Sequence, residues 1–224
     1  MKTILIGGDS WGCGEWTWFS KRNYGVSHKG LEQYLVDDGF SVVNSAQGGS
    51  SNSKSISRVA QQLELGNYDH IVWFQSDPLR DLKYTTFNSL FNSYQQVLDC
   101  HKELLNSSYE QLNQLGNKVI CVGGCSKLDP DIRNYDNLIP LVDSMIELII
   151  PHIIAPKIWC NDWLHYIDAN NNKSLIRLFD RLLVDKKIQE QITAEPIMNP
   201  CGYHPNRDGH RILFDVVKEF LVQT

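Results

Sequence analysis

Two residues near opposite ends of the chain carry side chains that can act together in nucleophilic catalysis. Ser10 lies in residues 7–12 (GGDSWG), and His204 lies in residues 202–206 (GYHPN). A serine hydroxyl is a weak nucleophile until a neighbouring base accepts its proton, and imidazole does this near neutral pH. The pair therefore indicates attack by Ser10 on a carbonyl carbon, with His204 as the general base.

Each residue also has a structural explanation when it is considered alone. Ser10 would serve as the N-cap of a helix in an ordinary strand-to-helix turn. His204 would be a structural histidine in a turn, where Pro205 and Asn206 begin a helix. The presence of both a nucleophile and a base favours the catalytic interpretation.

The elements that would position this pair follow the pattern of a parallel sheet wrapped by helices. Short apolar runs bounded by Gly, Asn and Asp alternate with helix-like segments, which predicts an α/β fold. The predicted strands span residues 2–7, 40–44, 69–75 and 118–122, with a fifth inside 151–159. The predicted helices span residues 27–38, 86–115 and 207–221, and the second of these is either one core-facing helix or a broken pair. Gly39 is placed to end the first of them.

Reactive groups in such sheets gather in the loops that follow the carboxyl ends of the strands. The predicted loops begin near Gly8, Ser45, Ser76 and Gly123. Glycines in the first loop allow a tight turn and close approach of a substrate carbonyl. Backbone N–H groups that open the next helix would stabilise an oxyanion there.

The chain resembles the SGNH (GDSL-like) hydrolases, a family whose four sequence blocks contribute Ser, Gly, Asn and His. Gly8-Asp9-Ser10 matches the first block, with Asp9 as a supporting residue, and residues 44–51 (NSAQGGSS) resemble the second. Residues 204–210 (HPNRDGH) resemble the last block. The resemblance implies that Gly49 donates its N–H to the oxyanion, that His204 is catalytic and that His210 supports it from the final helix. It also implies a flavodoxin-like α/β/α sandwich with a parallel sheet of about five strands.

The third block departs from the family pattern Gly-x-Asn-Asp. Residues 74–77 read FQSD, so that Ser76 stands where the family has the asparagine that donates to the oxyanion. Ser76, the neighbouring Gln75 or a backbone amide would have to take this role. Loss of one oxyanion donor typically costs about 100- to 1,000-fold in rate.

The last block departs at Cys201, where the family usually has the aspartate that orients the catalytic histidine. A thiol is a poor substitute for a carboxylate. A backbone carbonyl, Asn199 or a carboxylate such as Asp77 would orient His204 instead, or the enzyme would work as a Ser-His dyad.

Composition excludes several other classes of function. A chain of 224 residues with 42% hydrophobic residues predicts one domain over residues 1–224, without a membrane span. The net charge of -5 gives no basic surface for nucleic acid. The six cysteines lack a paired CxxC pattern, so we expect free thiols and no metal. The N-terminus does not resemble a signal peptide, which predicts a cytoplasmic protein or one carried on a larger assembly such as a virion.

Two further groups of residues, one charged and one aromatic, lie outside the four sequence blocks or beside them. Arg80 would pair with Asp77 or bind an anion, but a solvated helix start is the favoured interpretation. Four aromatic residues follow the nucleophile and would form a platform for a sugar or acyl chain, although packing in the core is expected for at least two of them: Trp11, Trp16, Trp18 and Phe19.

The sequence thus predicts a cofactor-independent serine esterase that acts on a small-molecule or carbohydrate ester, including O-acetyl groups. The substituted third block and Cys201 motivate an alternative, in which a degenerate domain of the same fold serves as a structural or glycan-binding module, such as one in a virus particle. The sequence does not predict the oligomeric state.

Overall fold

The computed structural model describes residues 2–21, 23–82, 94–124, 126–155, 188, 190–199 and 204–224. Its strands are β1 (Thr3–Gly7), β2 (Glu15–Ser20), β3 (Asn23–His28), β4 (Ser41–Asn44), β5 (His70–Gln75), β6 (Val119–Gly123), β7 (Leu138–Val142), β8 (Met198–Asn199) and β9 (His204–Pro205). Its α-helices are α1 (Ser10–Cys13), α2 (Leu31–Asp37), α3 (Asn52–Leu65), α4 (Tyr94–Gln114), α5 (Met145–Ile149) and α6 (Arg207–Gln223). Short 3-10 turns span Pro78–Asp81 and Pro130–Asn134.

The central feature is a five-stranded parallel sheet with the strand order β4-β1-β5-β6-β7. Counted along the chain, this is the 2-1-3-4-5 order of doubly wound folds. The order reverses next to β1, which pairs with β4 on one side and β5 on the other. A crevice at such a reversal is the usual place for a ligand in an open α/β sheet.

Both faces of the sheet are covered by helices, which explains why its strands read as continuous apolar runs. Ile4 and Ile6 point to one face, which α2, α5 and α6 cover, whereas Leu5 points to the other, which α3 and α4 cover. The predicted α/β sandwich with a parallel sheet of about five strands is therefore confirmed.

The ends of the helices follow their local sequence. Gly39, just after α2, has a φ of +93°, which permits the left-handed turn that ends the helix. Asn206 caps α6, because its side-chain oxygen accepts the N–H groups of Asp208 and Gly209. The predicted final helix is thus confirmed. Within the predicted helix 86–115, residues 94–114 form α4, and residues 86–93 lie outside the described residues.

The fifth strand of the described sheet lies in a segment where no strand was predicted. Residues 151–155 form a turn and coil, and 156–159 lie outside the described residues. The fifth strand is instead β7, which contains Pro140 and pairs only with β6 in the described sheet. Proline lacks a backbone donor and is tolerated only at a sheet edge or a strand end. Because Pro140 argues against a central strand, the sequence pattern did not predict β7.

A second difference concerns the segment between Ser10 and α2. Residues 15–20 and 23–28 form the antiparallel hairpin β2–β3, so the helix predicted from residue 27 starts only at Leu31. Among the described residues, no helix combines the length and apolar character needed to cross a bilayer.

Candidate active site

Ser10 is the first residue of α1, directly after the loop that leaves β1. Gly8 has a φ of +137°, and a Cβ there would lie 2.6 Å from Cβ of Phe74 on β5, so the loop needs glycine. Asp9, not Ser10, caps α1, since its Oδ1 accepts the Trp11 N–H at 3.0 Å. The interpretation of Ser10 as the helix cap is therefore wrong, and its hydroxyl makes a different contact.

That contact is with His204, whose Nε2 lies 2.7 Å from Ser10 Oγ. His204 stands on β9, which pairs with β8 through Asn199 and His204. The following residues fix this segment, because the Asn206 N–H donates to the Ile197 carbonyl at 2.9 Å while its side chain caps α6. The chain thus brings a hydroxyl and an imidazole separated by 194 residues into hydrogen-bond distance.

The hairpin β2–β3 supplies aromatic rings around this pair. Trp16 donates its indole N–H to the Ser10 carbonyl at 2.8 Å, and its ring centroid lies 5.7 Å from that of His204. Tyr24 Oη lies 3.3 Å from His204 Nδ1, on the opposite side of the ring from Ser10. Tyr24 was not among the site residues predicted from the sequence. The signal was present in the alternation of Trp16, Trp18, Tyr24 and Val26 around a polar turn, which is typical of a hairpin.

The four aromatic residues after the nucleophile have different environments. Trp11 is buried in the core, and Trp16 is half-buried between His204 and Tyr24. Trp18 and Phe19 are 51% and 57% exposed at the end of β2. Only Trp11 is a core residue, so the expectation that at least two of them pack in the core is wrong. The hairpin β2–β3 is separate from the five-stranded sheet, and the rings of Trp18 and Phe19 are exposed on it.

A buried polar network supports the nucleophile loop from the side of β5. Arg80 Nη1 lies 3.1 Å from both Asp9 Oδ2 and Ser76 Oγ. Burial raises the pKa of Asp9 above its ordinary value, and the Arg80 guanidinium and the Ser76 hydroxyl oppose this shift. The favoured interpretation of Arg80 as part of a solvated helix start is wrong, because a buried carboxylate requires a partner.

The same network fixes Ser76, which is fully buried. Its backbone N–H donates to Asn52 Oδ1 at 2.8 Å, and Asn52 Nδ2 donates to the Ser76 carbonyl at 3.2 Å. Gln75, the alternative donor, donates to the Lys127 carbonyl at 3.0 Å. These bonds hold the end of β5 and the loop after it to α3 and to the segment after β6.

Gly49 lies in an exposed turn after β4 and has a φ of +70°. The turn closes through the Ser50 N–H and the Gln47 carbonyl at 3.1 Å, and the Gln47 N–H donates to the Gly8 carbonyl at 3.2 Å. Arg58 on α3 reinforces this link, since its guanidinium donates to the Ser45 carbonyl at 2.9 Å and the Gly8 carbonyl at 3.4 Å. The loops of the first two sequence blocks are therefore joined.

The other sequence-predicted residues have varied positions. Asp77 is buried and caps the turn at Pro78–Asp81 by accepting the Leu79 N–H at 2.9 Å. Cys201 and the side chain of Asn199 lie outside the described residues. His210 on α6 is fully buried, and burial lowers its pKa to about 4. Its ring packs against Gly30, where a Cβ would lie 2.7 Å from Nδ1.

Three of the six cysteines lie in the described part of the chain. There, Cys13, Cys100 and Cys121 are free thiols, and burial raises the pKa of Cys13 to about 12. No cluster of three or more histidine, cysteine or acidic residues suited to a metal is found among these described residues. Cys125, Cys160 and Cys201 lie outside them.

Comparison with known proteins finds esterases among similar solved structures. TesA is 18% identical with a TM-score of 0.45, and 98% of each chain is covered. The esterase EstA from Pseudoalteromonas sp. is 12% identical with a TM-score of 0.45 over 99% of each chain. The acetyl xylan esterase AlAXEase is 15% identical with a TM-score of 0.47, over 98% of this chain and 99% of that one. No family model and no curated protein matches the chain.

Proposed function

We propose that this protein is a serine esterase of the SGNH hydrolase type. The observation that carries the proposal is the distance of 2.7 Å between His204 Nε2 and Ser10 Oγ at the carboxyl end of the sheet. Ser10 is the first residue of α1. The first N–H groups of a helix have no carbonyl acceptor within the helix, so the Ser10 N–H is able to donate to a substrate oxygen. A nucleophile, a base and a backbone donor therefore meet in one place.

In the first half of the reaction, Ser10 Oγ attacks the ester carbonyl carbon while His204 Nε2 accepts the hydroxyl proton. The carbonyl electron pair moves to oxygen and then returns as the bond to the alcohol breaks. The alcohol leaves with the proton from His204, and the acyl group stays on Ser10. Water then attacks the acyl-enzyme with His204 again as base, which releases the acid and restores the Ser10 hydroxyl.

The negative oxygen formed in each half needs hydrogen-bond donors. We assign this role to the backbone N–H groups of Ser10 and Gly49, which belong to loops joined by the Gln47–Gly8 hydrogen bond. Ser76 is the third candidate from the sequence. Its hydroxyl is already bonded to Arg80 at 3.1 Å, which supports a role in holding Asp9 and the nucleophile loop.

The surroundings of the pair support small acyl groups on carbohydrate alcohols as substrates. Trp18 and Phe19 expose large rings on the hairpin that also contacts His204 through Trp16. Exposed aromatic faces with nearby polar groups suit the apolar faces of sugar rings. An O-acetyl ester would fit this arrangement, since the acyl part is small and the sugar supplies the recognised surface.

The first experiment is reaction of the purified protein with a fluorophosphonate probe, followed by intact mass. We expect one adduct on the protein and none on Ser10→Ala, which serves as the matched control. Initial rates on p-nitrophenyl acetate, p-nitrophenyl octanoate and an acetylated xylo-oligosaccharide then test the acyl and alcohol preferences. Absence of the adduct on a folded protein would contradict the proposal and favour the non-catalytic glycan-binding or structural module.

A further inference from the structure

The hairpin β2–β3 contributes a hydroxyl to the histidine at the position where serine hydrolases need an orienting group. Tyr24 Oη lies 3.3 Å from His204 Nδ1, while Ser10 Oγ lies 2.7 Å from Nε2. Among the described residues, Tyr24 contacts one imidazole nitrogen and Ser10 the other. A base whose second nitrogen is engaged has its ring plane and its tautomer set by that partner.

We propose that Tyr24 is a positioning residue that orients His204 for proton transfer from Ser10. In this assignment the Nδ1–H of His204 donates to Tyr24 Oη, which leaves the lone pair of Nε2 directed at the Ser10 hydroxyl. When His204 accepts the proton, the Nδ1–H bond to the phenol oxygen stabilises the imidazolium. The inference rests on the proposed function, because orientation matters to catalysis only if His204 is the base.

The position of Tyr24 is set by aromatic packing within the hairpin. Tyr24 pairs with Trp18 across the strands, and its ring centroid lies 4.8 Å from that of Trp18 and 5.3 Å from that of Trp16. Such centroid separations are typical of favourable aromatic pairs. The phenol ring between two indoles has little freedom to turn away from His204.

The hairpin is itself fixed to both halves of the catalytic pair. On the nucleophile side, Trp16 donates to the Ser10 carbonyl at 2.8 Å. On the side of the base, Glu15 Oε2 lies 3.2 Å from Arg207 Nε, three residues after His204. A Cβ on Gly48 would lie 2.9 Å from the Trp16 ring, so the loop after β4 also packs closely against the hairpin. These contacts hold the hairpin against both residues of the pair, and they therefore fix the distance between Tyr24 and His204.

A phenol differs from a carboxylate as an orienting group. It is neutral and can both accept and donate, so it stabilises the imidazolium less and selects the tautomer less strictly. We therefore expect the contribution of Tyr24 to be that of one ordinary hydrogen bond, and a much smaller loss on removal than is seen when a triad carboxylate is replaced.

The direct test is Tyr24→Phe, which removes the hydroxyl and keeps the ring. We expect kcat on p-nitrophenyl acetate to fall about 10-fold with KM changed less than about 2-fold, because one hydrogen bond to the base is lost and substrate contacts remain. The matched control is Tyr34→Phe, which removes a tyrosine hydroxyl that donates to the Arg207 carbonyl at 3.0 Å. We expect the control to change kcat less than about 2-fold.

The second readout needs no substrate and follows the imidazole nitrogens of ¹⁵N-labelled histidine by NMR. The seven histidines give overlapping signals, and His204 is identified by the signals lost in His204→Gln. We expect the native protein to show His204 protonated on Nδ1 and unprotonated on Nε2 at alkaline pH, and Tyr24→Phe to show an increased share of the other tautomer. This spectrum decides the orienting contact even if the ester assay fails.

Either of two results would overturn the proposal. In the first, kcat and the His204 nitrogen signals of Tyr24→Phe both match the native protein. In the second, kcat falls while the nitrogen signals stay unchanged, which would assign Tyr24 a packing role only. Thermal melts establish that each variant is folded, and Tyr24→Leu provides a second variant without the hydroxyl. Loss of fluorophosphonate labelling in the native protein would instead refute the proposed function.

Discussion

The two halves of the candidate site are held by different kinds of interaction. The nucleophile side rests on buried polar contacts, in which Arg80 pairs with Asp9 and Asn52 brackets the backbone of Ser76. The base side rests on the short β8–β9 pair and on the rings of Trp16 and Tyr24. Removal of one partner from a buried polar contact strongly destabilises a protein. Removal of an aromatic contact near the surface changes the orientation of the side chains that it touches, with a smaller effect on stability. Variants on the two sides should therefore separate stability from activity.

The largest effect is expected where the two halves meet. Ser10→Ala and His204→Gln should each lower kcat/KM for p-nitrophenyl acetate by roughly 10,000-fold or more, because the hydroxyl and its base act as one unit. The double variant should be no worse than either single one. The Ser10→Ala preparation is first shown by intact mass to contain no native protein. Activity within 10-fold of the native protein would then mean that Ser10 is not the nucleophile.

The next effect tests the polar side alone. Arg80→Met should lower the free energy of unfolding by about 3 kcal/mol, since it leaves the buried Asp9 carboxylate without its cation. Arg80 itself is partly exposed, with 21% of its side chain accessible, so water compensates for part of the loss. Urea unfolding followed by circular dichroism measures the change.

The matched control is Lys102→Met, which breaks an exposed ion pair with Asp131. We expect no measurable shift of the urea midpoint in this variant. The combination Asp9→Asn with Arg80→Met should recover part of the loss, because the unpaired charge is then removed. Equal urea midpoints for Arg80→Met and Lys102→Met would mean that the Arg80–Asp9 pair stabilises the protein no more than an exposed ion pair does.

An intermediate effect concerns pH and the helix beneath the base. Burial lowers the pKa of His210 to about 4, against an ordinary value of 6.5, so the unfolded chain binds more protons than the folded one between these values. Protonation of His210 favours the unfolded chain, so the free energy of unfolding is highest above pH 6.5 and decreases as the pH falls towards 4. Between pH 7 and pH 5 this loss is about 2 kcal/mol.

His101 shows the same burial effect, with a pKa lowered to about 4, so both residues contribute to acid sensitivity. His210→Asn should flatten the dependence of the melting temperature on pH between 7 and 5. A slope that His210→Asn does not alter would show that the pKa of His210 is not lowered in the folded protein.

The smallest effect distinguishes the two roles of Ser76. Its hydroxyl is bonded to Arg80, so Ser76→Ala should lower kcat less than about 10-fold, as expected for loss of one supporting hydrogen bond. A direct oxyanion donor would instead cost about 100-fold or more. Initial rates at saturating p-nitrophenyl acetate separate the two, and the larger loss would restore Ser76 to the oxyanion site.

Much of the fold could be predicted because its signals are local. The strands β1, β5 and β6 are largely buried and the edge strand β4 is partly buried, so all four appear as apolar runs. Asn206 marks the start of α6 by its capping side chain. The edge strand β7 was missed because Pro140 interrupts its pattern. The hairpin was missed because its exposed aromatic residues were assigned to packing.

The candidate site divides in the same way. The sequence by itself determined that Ser10 follows a buried strand and that His204 precedes a capped helix, since turns and caps depend on neighbours in the chain. Only the tertiary structure decided that Tyr24 faces His204 and that Arg80 pairs with Asp9, 71 residues away. A hydrogen bond between distant residues depends on the register of strands and the packing of helices, which no local pattern specifies.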